Sequence, residues 1–159
     1  YIQLLNRFFE STAGAAFQGG GEILSYIGDS VLVIFPCAKA GGPSEAAKQA
    51  LAAAHGAVFK IRELNVEREE RGEQSIGFGI GLHYGSVVFG NIGIPERLGF
   101  SVIGSVANEA ARITDKCRDL HEEILVSEVV KDLVECDWRE IGEFDLRNVN
   151  FPMKIYAPG

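Results

Sequence analysis

Cationic charge, cysteine and long apolar runs are all scarce in this 159-residue sequence. Its 15 Lys and Arg face 22 Asp and Glu, for a net charge of −7. A chain of that balance has no global attraction for nucleic acid or anionic lipid, so any anion site must be built locally. Cys37, Cys117 and Cys136 lie far apart and form no CxxC or Cys/His cluster. That argues against a disulfide framework and a zinc centre, and it suits a reducing, cytoplasmic setting, including the cytoplasmic part of a larger protein. No apolar run approaches the roughly 20 residues of a membrane span, and no signal peptide is recognisable, so no membrane contact is expected of the domain itself. The nucleotide loops are missing too. There is no GxxxxGK[ST], and Gly79-Ile80-Gly81 lacks the third glycine of GxGxxG. Against these absences stand 47% hydrophobic residues and 19 glycines, the composition of one globular domain over 1–159 with a real core.

The periodicities alternate between 3.6 and 2. Tyr1, Leu5, Phe8 and Phe9 share one face of an amphipathic helix over residues 1–12, which "GGG" at 19–21 separates from the next element. Residues 22–27 and 30–35 read as strands joined at Gly28-Asp29, with glycine first as a type II′ hairpin turn requires. After a loop at 37–43, a long helix begins at Pro43-Ser44 with Ser44 as its N-cap and a stripe of Ala47, Leu51, Ala54, Val58 and Ile61. "EREERGEQ" (67–74) reads as a charged surface loop.

In residues 76–85, Gly77, Gly79, Gly81, His83 and Gly85 alternate with Phe78, Ile80, Leu82 and Tyr84, which is a strand with a glycine-lined face open to close approach. Gly85-Ser86 should turn the chain into a second hairpin strand. Residues 100–104 are a short strand and Ser105–Leu120 a helix, followed by a strand (123–127), a helix to about Glu135 and two last strands. This order predicts an α+β fold, a mixed but mostly antiparallel sheet with helices packed on one face.

Taken singly, the polar candidates have bland explanations. Asp29 is a natural turn former. Asn108 and Arg112, four apart on the helix that buries Val106, Ala110, Ile113 and Cys117, project together beside Asp115 and Asp119. An amide beside a guanidinium suits a phosphate–sugar ligand, but a solvated helix face explains the pattern as well.

Four stretches in sequence change the weighting: "GGGEILSYIGDSVLVIFP", "GIGLHYGSVVFGNIG", "PERLGFSVIGSVANEAARI" and "LRNVNFPMKIYA". Together they resemble the bacterial class III adenylate/guanylate cyclase catalytic domain, over nearly the whole chain. The resemblance implies a ferredoxin-like fold and a site at a homodimer interface. It implies that Asp29 is one of two aspartates holding two Mg²⁺ or Mn²⁺ ions, the other expected on a strand upstream of Tyr1. It places Arg97 and Arg147 on the nucleotide phosphates and makes Asn108 and Arg112 the transition-state pair. The purine-reading positions are Ser25 and Ser101, where such cyclases carry Lys or Glu and Asp or Thr. The glycine expected after Arg147 is Asn148. The implied reaction is ATP to cyclic AMP. The alternatives are a GTP or relaxed base preference, or a cyclase-fold module that binds nucleotide or regulates without turnover. A diguanylate cyclase would need an extended GGDEF signature in place of "IGDS", and an RNA-binding sheet would need exposed aromatics.

Overall fold

The computed structural model describes the backbone of residues 1–159 and the side chains of all but Ile92 and residues 97–101. The chain divides into two units, residues 1–80 and 81–159.

In the first unit, α1 (Ile2–Gln18) packs on α3 (Pro43–Glu70), and the short α2 (Cys37–Ala40) adjoins α3. The α1–α3 contact is made of small residues. Ala13, Ala15 and Ala16 are buried on one helix, and Ala46, Ala47, Ala53, Ala54 and Ala57 on the other, beside Leu51, Val58, Ile61 and Leu64. The expected α3 stripe is thus the buried one. Tyr1, expected on the apolar face of α1, is instead 87% exposed. α1 runs six residues past the sequence expectation, to the glycine stop.

The N-cap of α3 is Gly42, with Pro43 as the first helical residue, so Ser44 lies inside the first turn and makes no cap. Proline at that position has no N–H to leave unpaired. The expected charged loop is helical as far as Glu70, because Glu and Arg are strong helix formers. The helix ends at Arg71-Gly72, where Glu73 pairs with Arg68 at 2.9 Å and Arg71 at 2.7 Å.

β1 (Glu22–Ile27) and β2 (Ser30–Ile34) form an antiparallel hairpin. Gly28 has φ +60°, a value L residues rarely adopt and the one that the first turn position needs. The ring of Tyr26 in β1 meets Phe9 of α1 edge-on at 4.7 Å.

The second unit is built on the four-stranded order β3-β6-β8-β7, from β3 (Ile80–Leu82), β6 (Ile124–Ser127), β7 (Trp138–Phe144) and β8 (Met153–Pro158). The β6–β8 and β8–β7 pairs are antiparallel. All four residues of β6 are buried, as the central position of this strand predicts. α4 (Ser105–Leu120) lays Ile113 and Cys117 on a core of Leu125, Leu146, Met153, Ile155 and Ala157. α5 (Glu128–Leu133) follows β6.

A separate antiparallel hairpin joins β4 (Val88–Ile94) to β5 (Arg97–Ile103). β4 therefore pairs forward across the Pro95-Glu96 turn, and not back across Gly85-Ser86 as expected. The expected strand at 76–84 shortens to β3. Upstream of it, the Asn65 side chain takes both backbone groups of Ile76, accepting its N–H at 2.7 Å and donating to its carbonyl at 3.1 Å. The fold class is the α+β, antiparallel-dominated one expected.

The glycine-lined face does receive another backbone. A Cβ on Gly81 would lie 2.8 Å from the Ala110 carbonyl oxygen and 2.5 Å from Thr114 Oγ1, and one on Gly85 would overlap Val106 Cγ2. Gly81→Ala is therefore expected to push α4 outward and destabilise the protein by about 1–3 kcal/mol. Thermal unfolding tests this, and an unchanged melting temperature would sink the close-packing account.

Candidate active site

The candidate residues in the first unit lie on the β1–β2 hairpin. Asp29 is exposed at the turn that Gly28 makes possible. Ser25 lies in β1 opposite Leu32, directly after a register shift at Leu24. The extra residue forms a β-bulge, a device that re-aims the side chains beside it.

In the second unit the candidates cluster on α4 and the turn after β7. Asn108 is exposed on the first turns of α4. One turn on, the Arg112 side chain is 23% exposed, and its Nη1 lies 3.1 Å from Asp115 Oδ2 in an i,i+3 pair. Among the described residues, Arg112 Nε is a buried donor with no hydrogen-bond partner. Such a group costs free energy until an acceptor reaches it. Arg112 lines an open groove of about 290 Å³ together with Asp115, Lys116, Asp119, Asp145 and Arg147. Three cations and three carboxylates make its wall formally neutral, and Lys116 Nζ is further occupied over the Phe144 ring at 5.2 Å. The structure thus brings Arg112 and Arg147 to one groove, with Asn108 a helical turn away.

Arg147 reaches that groove from a tight turn closed by the Val149 N–H donating to the Leu146 carbonyl at 3.1 Å. Asn148 holds the third position of the turn at φ +63°. Asparagine tolerates that left-handed backbone better than most residues. The substitution for glycine noted in the sequence therefore keeps the turn.

Sequence reasoning missed one polar cluster. His83 Nε2 lies 2.7 Å from Glu109 Oε2, and His83 Nδ1 lies 2.8 Å from Ser127 Oγ. The His83 and Glu109 side chains are only 9% and 10% exposed, and Ser127 is 1% exposed. The available signal was a histidine on an otherwise glycine-only face, which needs a polar partner if the face is covered.

A profile of the adenylate and guanylate cyclase catalytic domain matches residues 1–157. The chain belongs to that family. An adenylate cyclase of Anabaena cylindrica is 29% identical over 155 residues, which is 97% of this chain and 29% of that protein. The cyclase domain thus spans under a third of the length of such curated relatives. The crystal structure of the guanylyl cyclase Cya2 superposes with a TM-score of 0.79 at 26% identity, covering 98% of this chain and 78% of that one. That of the adenylyl cyclase CyaB from P. aeruginosa gives 0.74 at 25% identity, covering 98% and 80%. Proteins named for either nucleotide therefore share this fold.

The side chains of Arg97 and Ser101 lie outside the described residues. Their backbone places Arg97 first in β5, opposite Ile94, and Ser101 opposite Gly90. The Asp29 carboxylate is a hard oxygen donor of the kind Mg²⁺ and Mn²⁺ take. Among the described residues no group of three or more His, Cys, Asp or Glu gathers around a common point. Magnesium is commonly held by one or two carboxylates with the rest of its shell from substrate phosphate and water, so Asp29 fits as one such ligand. Among the described residues no helix is long and apolar enough to cross a membrane.

Proposed function

We propose that this cyclase domain converts ATP to 3′,5′-cyclic AMP and pyrophosphate. The observation that supports it most is the Arg112–Arg147 groove on a cyclase-family chain, with an unpartnered buried donor on Arg112. The ribose 3′-oxygen forms a bond to the α-phosphorus, the bond from that phosphorus to the bridging β-phosphate oxygen breaks, and the hydroxyl proton leaves to solvent. Arg112 meets the charge growing on the α-phosphate with preorganised N–H donors. Asn108, one turn away, hydrogen-bonds and orients the ribose. Arg97 and Arg147 hold the β- and γ-phosphates. Asp29 and a second carboxylate would hold divalent ions, which would supply charge neutralisation and a more acidic 3′-hydroxyl.

The active unit in this reading is a homodimer, with Asp29 and Arg97 from one subunit meeting Asn108, Arg112 and Arg147 of the other. Exposed apolar residues on the β4–β5 hairpin support an interface: Val88, Ile94 and Ile103 are 68%, 63% and 55% exposed. The test is turnover of ATP and GTP with Mn²⁺ or Mg²⁺, followed by chromatography of the products. Absence of cyclic product from both nucleotides overturns the reading.

A GTP or relaxed preference is the second reading, favoured by Ser25. Its hydroxyl both donates and accepts, so it can bond a purine edge without enforcing one. Ser25→Lys is expected to raise the ATP:GTP ratio of kcat/KM by about tenfold or more, since a committed donor leaves the wrong base edge unpaired. An unchanged ratio removes Ser25 from the base-reading role.

A further inference from the structure

The segment 81–85 and α4 meet at three successive points. Gly81 lies against Ala110 and Thr114, His83 bonds Glu109, and Gly85 lies against Val106. From Gly81 to Gly85 an extended segment advances roughly 13 Å, close to the roughly 12 Å of helix between Thr114 and Val106, so the two backbones run alongside each other over the whole stretch. The two outer points are glycines that let α4 approach closely. A glycine has no side chain to make a directional bond that fixes the rotation of the helix. The central point is a directional, charge-assisted contact in a buried site.

We propose that the His83–Glu109 contact, braced by Ser127, is a positioning clamp that sets the rotation of α4 and so the aim of Asn108 and Arg112. The inference rests on the cyclase reading for its link to turnover, and on geometry alone for the clamp. Glu109 directly follows Asn108 and precedes Arg112 by one turn. At about 100° per residue, Asn108 and Arg112 both lie within about 100° of Glu109, on the same side of it. At roughly 6 Å from the helix axis, a roll of about 10° moves a side-chain group by about 1 Å. A misplacement of that size can cost about a hundredfold in rate.

The hydrogen-bond roles are determined by chemistry. A carboxylate only accepts, so His83 Nε2 carries the proton given to Glu109. Nδ1 then accepts from the Ser127 hydroxyl when the ring is neutral, or donates to it when the ring is charged, and both contacts survive either state. Ser127 is the N-cap residue of α5, yet its side chain makes no cap bond. Its hydroxyl is engaged with His83 instead. Three elements, the segment after β3, α4 and the end of β6, therefore converge on one imidazole.

The two amide replacements of His83 separate this role from packing. The longer glutamine side chain can place an N–H where Nε2 stands and keep the bond to Glu109, while the shorter asparagine can reach only the Ser127 side. His83→Asn and Glu109→Leu, which removes the acceptor, are expected to lower kcat by about ten- to a hundredfold with KM for ATP within about twofold, and His83→Gln to recover most of the loss. Amide hydrogen exchange across α4 is read on the same proteins. Faster exchange is expected in His83→Asn and Glu109→Leu, and near-wild-type exchange in His83→Gln. Equal behaviour of the two amide variants of His83, or α4 exchange unchanged in both His83→Asn and Glu109→Leu, overturns the clamp. If the wild-type chain turns over neither ATP nor GTP, the cyclase reading falls, and the order of exchange rates still decides the clamp.

Discussion

Arg112→Ala is expected to lower kcat for cyclic nucleotide formation by about a hundred- to a thousandfold, with almost no change in thermal stability. The two halves of that expectation have separate causes. In the proposed mechanism the rate loss follows from removing a preorganised cation from the place where charge grows on phosphorus. Removing one such donor typically costs two to three powers of ten. The stability is largely spared because the polar contacts of Arg112 give the fold little. Its ion pair is with Asp115, which is 64% exposed, and pairs of that kind are worth about 0–1 kcal/mol. Its Nε makes no hydrogen bond among the described residues, so alanine removes a buried polar group that nothing satisfied. Arg112→Lys should recover little, because an ammonium cannot present two parallel donors to a phosphate. Initial rates at saturating ATP, with melting curves on the same preparations, provide the check. A variant retaining more than about a tenth of the wild-type rate removes Arg112 from the transition state.

The residues that sequence reasoning places well are those whose cause is local. Ser105–Leu120 is a helix over the range expected, because its apolar stripe ends in Ile113 and Cys117 and both are buried. The α3 stripe survives for the same reason. The Gly28 turn is legible because only one backbone conformation suits a glycine-first two-residue hairpin. The errors arise where a partner distant in sequence decides. Period 2 over 76–85 predicts a full strand, but only β3 finds a ladder partner, and Asn65 takes the backbone of Ile76. Glu109 resembles any solvated helix carboxylate until His83, 26 residues earlier, is brought to it. No window of hydrophobicity reports such a pair. Asn148 departs from the family pattern in sequence, yet its left-handed backbone preserves the turn that presents Arg147.

Asp29→Ala should abolish metal-dependent turnover, with a loss of about a hundredfold or more, and Asp29→Asn should behave alike because a neutral amide is a poor ligand for a hard dication. Asp29 is exposed on a turn whose geometry belongs to Gly28, so neither change should disturb the fold. The informative step is to mix the two inactive proteins. If Asp29 and Arg112 serve one site from two subunits, an Asp29→Ala chain paired with an Arg112→Ala chain forms one intact site and one doubly damaged one. In a freely exchanging equal mixture, half the dimers are mixed and each has one working site of two, so activity should return to about a quarter of wild type. If both residues act within one subunit, no pairing restores a site and the mixture stays as inactive as its components. Dilution sharpens the result, since recovered activity must fall as dimers dissociate while the residual activity of each single variant does not reach the mixed value at any concentration. Recovery thus ties the hairpin turn of one chain to α4 of another. Its absence, with wild-type dimers present at the same concentration, would place the whole site within a single chain.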